Sequence, residues 1–143
     1  MRLLISVVYL IPMIITQVHS EDLKLDNLDE LRWNSRIILV KSGSDIDKTL
    51  LILEKAKNEI DERHINWFVF TNDQTYTNLE IKLGNHFNED VLDTYFNGEG
   101  LIVIVLGKDG YVKQRSRQLN LPGIFELIDS MPMRQIEMSS QSK

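Results

Sequence analysis

The sequence predicts an α/β domain built on a mixed β-sheet, and three observations carry that prediction. First, Ile37-Ile38-Leu39-Val40 and the run Gly100 to Gly107, GLIVIVLG, are apolar throughout instead of alternating, as in strands covered on both faces. Second, a helix-period segment lies between the first of these and another strand-like run, INWFVFT from Ile65 to Thr71, and a strand, helix, strand order implies a crossover between parallel neighbours. Third, Asp109-Gly110 separates the GLIVIVLG run from Tyr111-Val112-Lys113-Gln114-Arg115, and an Asp-Gly pair between strand-like runs signals a tight antiparallel hairpin.

In chain order, a charged lead-in from Glu21 to Glu30 precedes the first core strand, Arg36 to Lys41. Ser42-Gly43-Ser44-Asp45 has the composition of a turn, with Ser44 or Asp45 placed to cap the next helix. Ile46, Leu50, Leu53, Ala56 and Ile60 then fall at helical spacing, with charges between them, which predicts a helix reaching about Arg63. The aromatic and β-branched residues of Ile65 to Thr71 predict the second strand. Asn72 to Thr77 reads as a loop. Between Leu79 and Phe96 the apolar residues recur every four positions, but Gly84 and Asn85 interrupt them, so a short or broken helix is expected. After the hairpin, Pro122 suits a first helical turn. The stripe Ile124, Phe125, Leu127, Ile128 and Met131 marks a closing helix that ends at Pro132.

The first twenty residues are of a different kind. Arg2 is their only charge, Leu3 to Ile15 is apolar, and Val18 and Ser20 occupy the −3 and −1 positions of a cleavage site before Glu21. A membrane span needs about 20 apolar residues, so the segment reads as a signal peptide, with an uncleaved anchor as the alternative. The expected organisation is a signal peptide over 1–20, one domain over 21–138 and a flexible tail over 139–143. Localisation is expected to be exported, either secreted or periplasmic, with membrane contact only through the leader if it stays uncleaved.

Composition narrows the chemistry. Hydrophobic residues make up 43% and charged residues 26% of the 143, the balance of a folding domain. The net charge is −5, falling to −6 without the leader, which argues against nucleic-acid binding through a basic face. The chain has no cysteine. Disulfides, thiolate nucleophiles, iron–sulfur clusters and cysteine zinc sites are therefore all excluded.

Several segments carry a family likeness: Leu28-Asp29-Glu30-Leu31-Arg32-Trp33 with Arg36-Ile37-Ile38-Leu39-Val40, then Gly107-Lys108-Asp109-Gly110-Tyr111-Val112-Lys113 with Arg115, and Phe125 to Gln135 with its Met-Pro-Met-Arg run. Through them the chain resembles the domain of unknown function 4174 family. That family comprises small exported bacterial proteins and a module of sushi-repeat-containing animal extracellular proteins. The resemblance implies a thioredoxin-like, peroxiredoxin-like three-layer sandwich, a parallel βαβ unit followed by an antiparallel hairpin and a C-terminal helix, with no assigned activity.

In thioredoxins the redox cysteines stand at the end of the first core strand, where the following helix lowers the thiol pKa. Here that place holds Ser42, Gly43, Ser44 and Asp45, a degenerate redox position, and no proline precedes the strand facing it. A serine nucleophile needs a base in reach, and His64 and His86 stand in no recognisable triad motif. His86, Glu89 and Asp90 match no metal-ligand spacing. No catalytic residue, metal or cofactor is expected. Lys113, Arg115 and Arg117 alternate along the strand after the hairpin, and with Lys108 and Arg134 they form a candidate basic patch for an anionic partner, such as an acidic polysaccharide or protein surface. The competing explanation is an edge strand protected by charge. The expected function is a non-enzymatic binding module; the alternative is an enzyme or redox-accessory protein using a degenerate peroxiredoxin-like pocket.

Overall fold

The computed structural model describes residues 23–98, 100 and 102–141. The segment read as a signal peptide lies outside them. In chain order the strands are β1 (Lys24–Leu25), β2 (Arg36–Lys41), β3 (Ile65–Phe70), β4 (Thr75–Thr77), β5 (Lys82–Leu83), β6 (Val103–Leu106) and β7 (Val112–Ser116), and the helices are α1 (Ile46–Lys55), α2 (Lys57–Glu62), α3 (Phe87–Tyr95), α4 (Leu121–Asp129) and α5 (Pro132–Gln141).

Five strands form one mixed sheet in the order β4-β3-β2-β6-β7. β2 and β3 run parallel, and the other pairs are antiparallel. Because successive strand residues point to opposite faces, the apolar runs divide between two cores. Ile38, Val40, Val69 and Val105 pack with Leu53, Ile60 and Ile128 beneath α1, α2 and α4. Ile37, Leu39, Phe68 and Ile104 pack with Leu25, Leu28, Phe87 and Val91 beneath α3 and the N-terminal segment. The result is three layers with β2 in the middle, as the uninterrupted apolar runs predict. Among the described residues no helix is long and apolar enough to cross a membrane.

Local chemistry explains where the chain departs from the sequence reading. The helix expected to run to Arg63 breaks at Ala56 (φ −93°, ψ 18°) into α1 and α2, and the buried Leu53 and Ile60 keep each part on the sheet. Asp45 occupies the N-cap of α1, but its side chain makes no cap hydrogen bond. The stretch 72–77 contains the edge strand β4: the Thr71 hydroxyl accepts from the Gln74 amide at 3.1 Å and donates to its carbonyl at 2.8 Å, which closes a tight turn between β3 and β4. In the lead-in, Asn27 caps a short 3-10 turn at Leu28–Leu31, with Glu30 bonding back to the Asn27 amide. The interruption at Gly84 is a close approach, since a methyl there would meet Asp26 as β1 and β5 pair in parallel.

The closing region holds two helices. α4 starts at the Asn120 cap, whose side chain accepts from the Gly123 amide, and α5 continues through Gln141, past the boundary expected after 138. The hairpin between β6 and β7 forms at Lys108-Asp109-Gly110, where Gly110 takes φ +79°. Leu39 is fully buried in the middle strand. Leu39→Ala is expected to cost about 2–5 kcal/mol, through lost burial and a cavity between well-packed neighbours, measured as a lower urea midpoint at unchanged slope.

Candidate functional site

The two ends of β2 differ in chemistry. At its carboxyl end the chain leaves the sheet through Ser42-Gly43-Ser44-Asp45 into α1 and borders an open cleft of about 470 Å³. The position is set by backbone pairing, with the Lys41 amide on the Ile102 carbonyl at 2.8 Å and the Ser42 amide on the Phe70 carbonyl at 2.9 Å. Lys41 and Lys48 line the cleft together with Arg117, and Asp45 is the acidic group among the lining residues. Neither the Ser42 nor the Ser44 hydroxyl makes a side-chain hydrogen bond among the described residues.

The two described histidines, His64 and His86, are elsewhere. His64 lies at the other end of the sheet, where its Nδ1 is 2.9 Å from Lys108 Nζ; an ammonium can only donate, so Nδ1 is the acceptor. His86 is exposed and 3.8 Å from Glu89. Among the described residues no three histidine or carboxylate groups could hold a metal ion.

At the amino end of β2 lies a buried charge network. Arg36, 1% exposed, donates to Glu137 Oε2 at 3.1 Å and to the Arg63 carbonyl at 2.8 Å. Lys108 reaches Glu137 Oε1 at 2.7 Å. Arg134, fully buried, donates to Asp129 at 3.1 Å and Glu62 at 2.7 Å, and Arg63 also pairs with Asp129 at 2.7 Å. Burial raises the Glu137 pKa, but the hydrogen bonds from Lys108 and Arg36 outweigh it and hold the group at about 2. Burial likewise works against Asp129, and the Arg63 and Arg134 hydrogen bonds carry its pKa below the usual range.

This network corrects the predicted basic patch. Lys108 and Arg134 are consumed in buried ion pairs and do not join an exposed face. The other three residues are exposed, but a register shift at Leu106 breaks the alternation. Arg115 stands opposite Ile104, whereas Lys113 lies over Gly107, its Nζ 2.6 Å from Asp109. Arg117 belongs to the cleft at the far end. Sequence reasoning missed Lys41 and Lys48, which line that cleft beside Ser42-Gly43-Ser44-Asp45, and Arg36 and Glu137, whose partners are distant in the chain.

Residues 27–137 match the domain of unknown function DUF4174. The chain belongs to that family. Among solved structures it is similar to the mitochondrial 2-Cys peroxiredoxin of Plasmodium falciparum, at 13% identity and a TM-score of 0.54, over 81% of this chain and 84% of that one. At that identity the likeness is one of fold, and this DUF4174 domain is thioredoxin-like in architecture. No curated protein sequence matches it.

The depressed Glu137 pKa fixes a pH dependence. A carboxylate whose folded pKa lies below its unfolded value contributes stability above about pH 4.5, and loses it as pH falls towards 2. Glu137→Gln leaves buried cations without their counter-charge, so it is expected to cost about 3 kcal/mol at pH 7. The gap from the wild type should close as pH approaches 2, in urea titrations at the two pH values.

Proposed function

We propose that this DUF4174 protein is an exported, non-enzymatic binding module that recognises an acidic partner through the cleft at the carboxyl end of β2. One observation carries the reading: where the scaffold can place thiols, this chain presents an open cleft flanked by Lys41, Lys48 and Arg117, with no cysteine and, among the described residues, no base on either serine. The location suits recognition, because ligands of open α/β sheets bind beyond the carboxyl ends of strands where neighbouring connections diverge. The chain from β2 crosses to β3 on one side, while β6 pairs on the other. Three cations against Asp45 favour an anion, such as an acidic polysaccharide or an acidic protein surface. Export rests on the leader, with Arg2, the apolar stretch Leu3 to Ile15 and cleavage after Ser20.

The same cleft lends some support to the alternative, an enzyme or redox accessory using a degenerate peroxiredoxin-like pocket. Against it, a serine hydroxyl without a base is a poor nucleophile and cannot take part in disulfide exchange. Peroxidase and disulfide-reductase assays are accordingly expected to stay at background.

Retention on a heparin-type resin at low salt tests the binding reading. The wild type should be retained, and the triple variant Lys41→Glu, Lys48→Glu, Arg117→Glu, all surface changes, should run through the column while keeping its circular dichroism spectrum. Equal retention of the two proteins overturns the cleft as the site, and no retention of the wild type overturns the anionic-partner reading.

A further inference from the structure

The amino end of β2 carries a second opening, of about 330 Å³, between the hairpin turn and the start of α5. Met131, Pro132 and Met133 supply apolar wall, and Arg36, Lys108 and Lys113 supply three cations. Lys113 is matched by Asp109, which also lines the cleft. The deeper ions are not matched one for one. Four cations, Arg36, Arg63, Lys108 and Arg134, share the three carboxylates of Glu62, Asp129 and Glu137.

An excess charge is costly where water is excluded, as it is around the buried Arg36, Lys108 and Arg134, whereas Glu62 and Asp129 reach solvent. The backbone offsets part of this one, since the carbonyls of Arg63 and Glu62 each take an N–H from Arg36 and Arg134 respectively. Arg36 Nε, however, is buried and has no acceptor among the described residues. A buried donor left unpaired is uncommon in a folded protein and marks a place where an acceptor belongs.

We infer that this cleft binds a small aliphatic carboxylate. Its carboxylate supplies the missing negative charge and an acceptor for Arg36, within reach of Lys108, and its hydrocarbon tail lies against Met131, Pro132 and Met133. A highly hydrated inorganic anion fits less well, because it would lose its water against an apolar wall without recovering equivalent hydrogen bonds. The volume stands at the small end of the range for organic ligands, about 300–1,000 Å³. Since Nε is closed off from solvent, occupancy displaces a neighbouring side chain, and methionine, unbranched with three rotatable bonds, yields at low cost.

The Nε–Hε group of Arg36 reports directly on this site in a nitrogen–proton correlation spectrum. Hexanoate added to the full chain is expected to shift that resonance saturably, and hexanol, which has the tail without the charge, to leave it in place. Met133→Trp fills the cleft from its half-exposed rim without touching an ion pair, and should weaken hexanoate on the order of tenfold or more. A resonance that stays still with hexanoate, or moves equally with hexanol, overturns the carboxylate assignment. Unchanged affinity in Met133→Trp overturns the cleft as its location. The heparin experiment probes the opposite end of β2, so either reading can fail alone.

Discussion

Glu137 is the carboxylate around which one end of the sheet is assembled. Its two oxygens take Arg36, the first residue of the middle strand, and Lys108, in the hairpin turn, while Arg134 of the same helix stands 3.7 Å away. Strand, hairpin and last helix therefore meet on one side chain. Such a network adds modestly to stability when intact, because desolvation offsets much of the Coulomb attraction, yet removing one member strands the rest in a dry environment. Its stronger effect is on position. α5 exposes Met133 and Ile136 and buries Arg134 completely, so charge pairing does for this helix what an apolar stripe does for α4.

That reversal explains which parts of the fold were legible in the sequence. The interior strands β2, β3 and β6 announce themselves because burial on both faces demands continuous apolar residues, and α1 and α4 because burial on one face demands helical spacing. α5 offers no such pattern, so the chain past Pro132 looks like an ending. The short strands β1, β4 and β5 hold two or three residues each, too few for a period to show. Their pairing depends on turns and close approaches, such as that at Gly84, formed only when distant segments meet.

The candidate sites were legible to different degrees for a related reason. Ser42-Gly43-Ser44-Asp45 could be located because it follows from topology: the end of the first core strand is the end of the first apolar run. The basic patch rested on period 2, which holds only while the ladder is regular, and the shift at Leu106 ends that regularity. Charged residues are usually exposed, so Lys108 and Arg134 looked like surface groups. Their partners lie far along the chain, with Glu62 72 residues from Arg134 and Glu137 101 from Arg36. Pairing at that separation becomes visible only in three dimensions.

The likeness to a peroxiredoxin fold at low identity isolates what a scaffold contributes by itself. The sheet order and the layers on either face create a strand end, a helix start and an opening between them whatever side chains stand there, so the fold supplies a place and not a reaction. Thiol chemistry needs a nucleophile whose pKa the helix terminus can bring near neutrality. A serine hydroxyl starts too far from ionisation for a helix terminus to make the same difference, and among the described residues no imidazole or carboxylate is hydrogen-bonded to Ser42 or Ser44. What the described residues place at that end of β2 is an open cleft bordered by the charges of Lys41, Lys48 and Arg117.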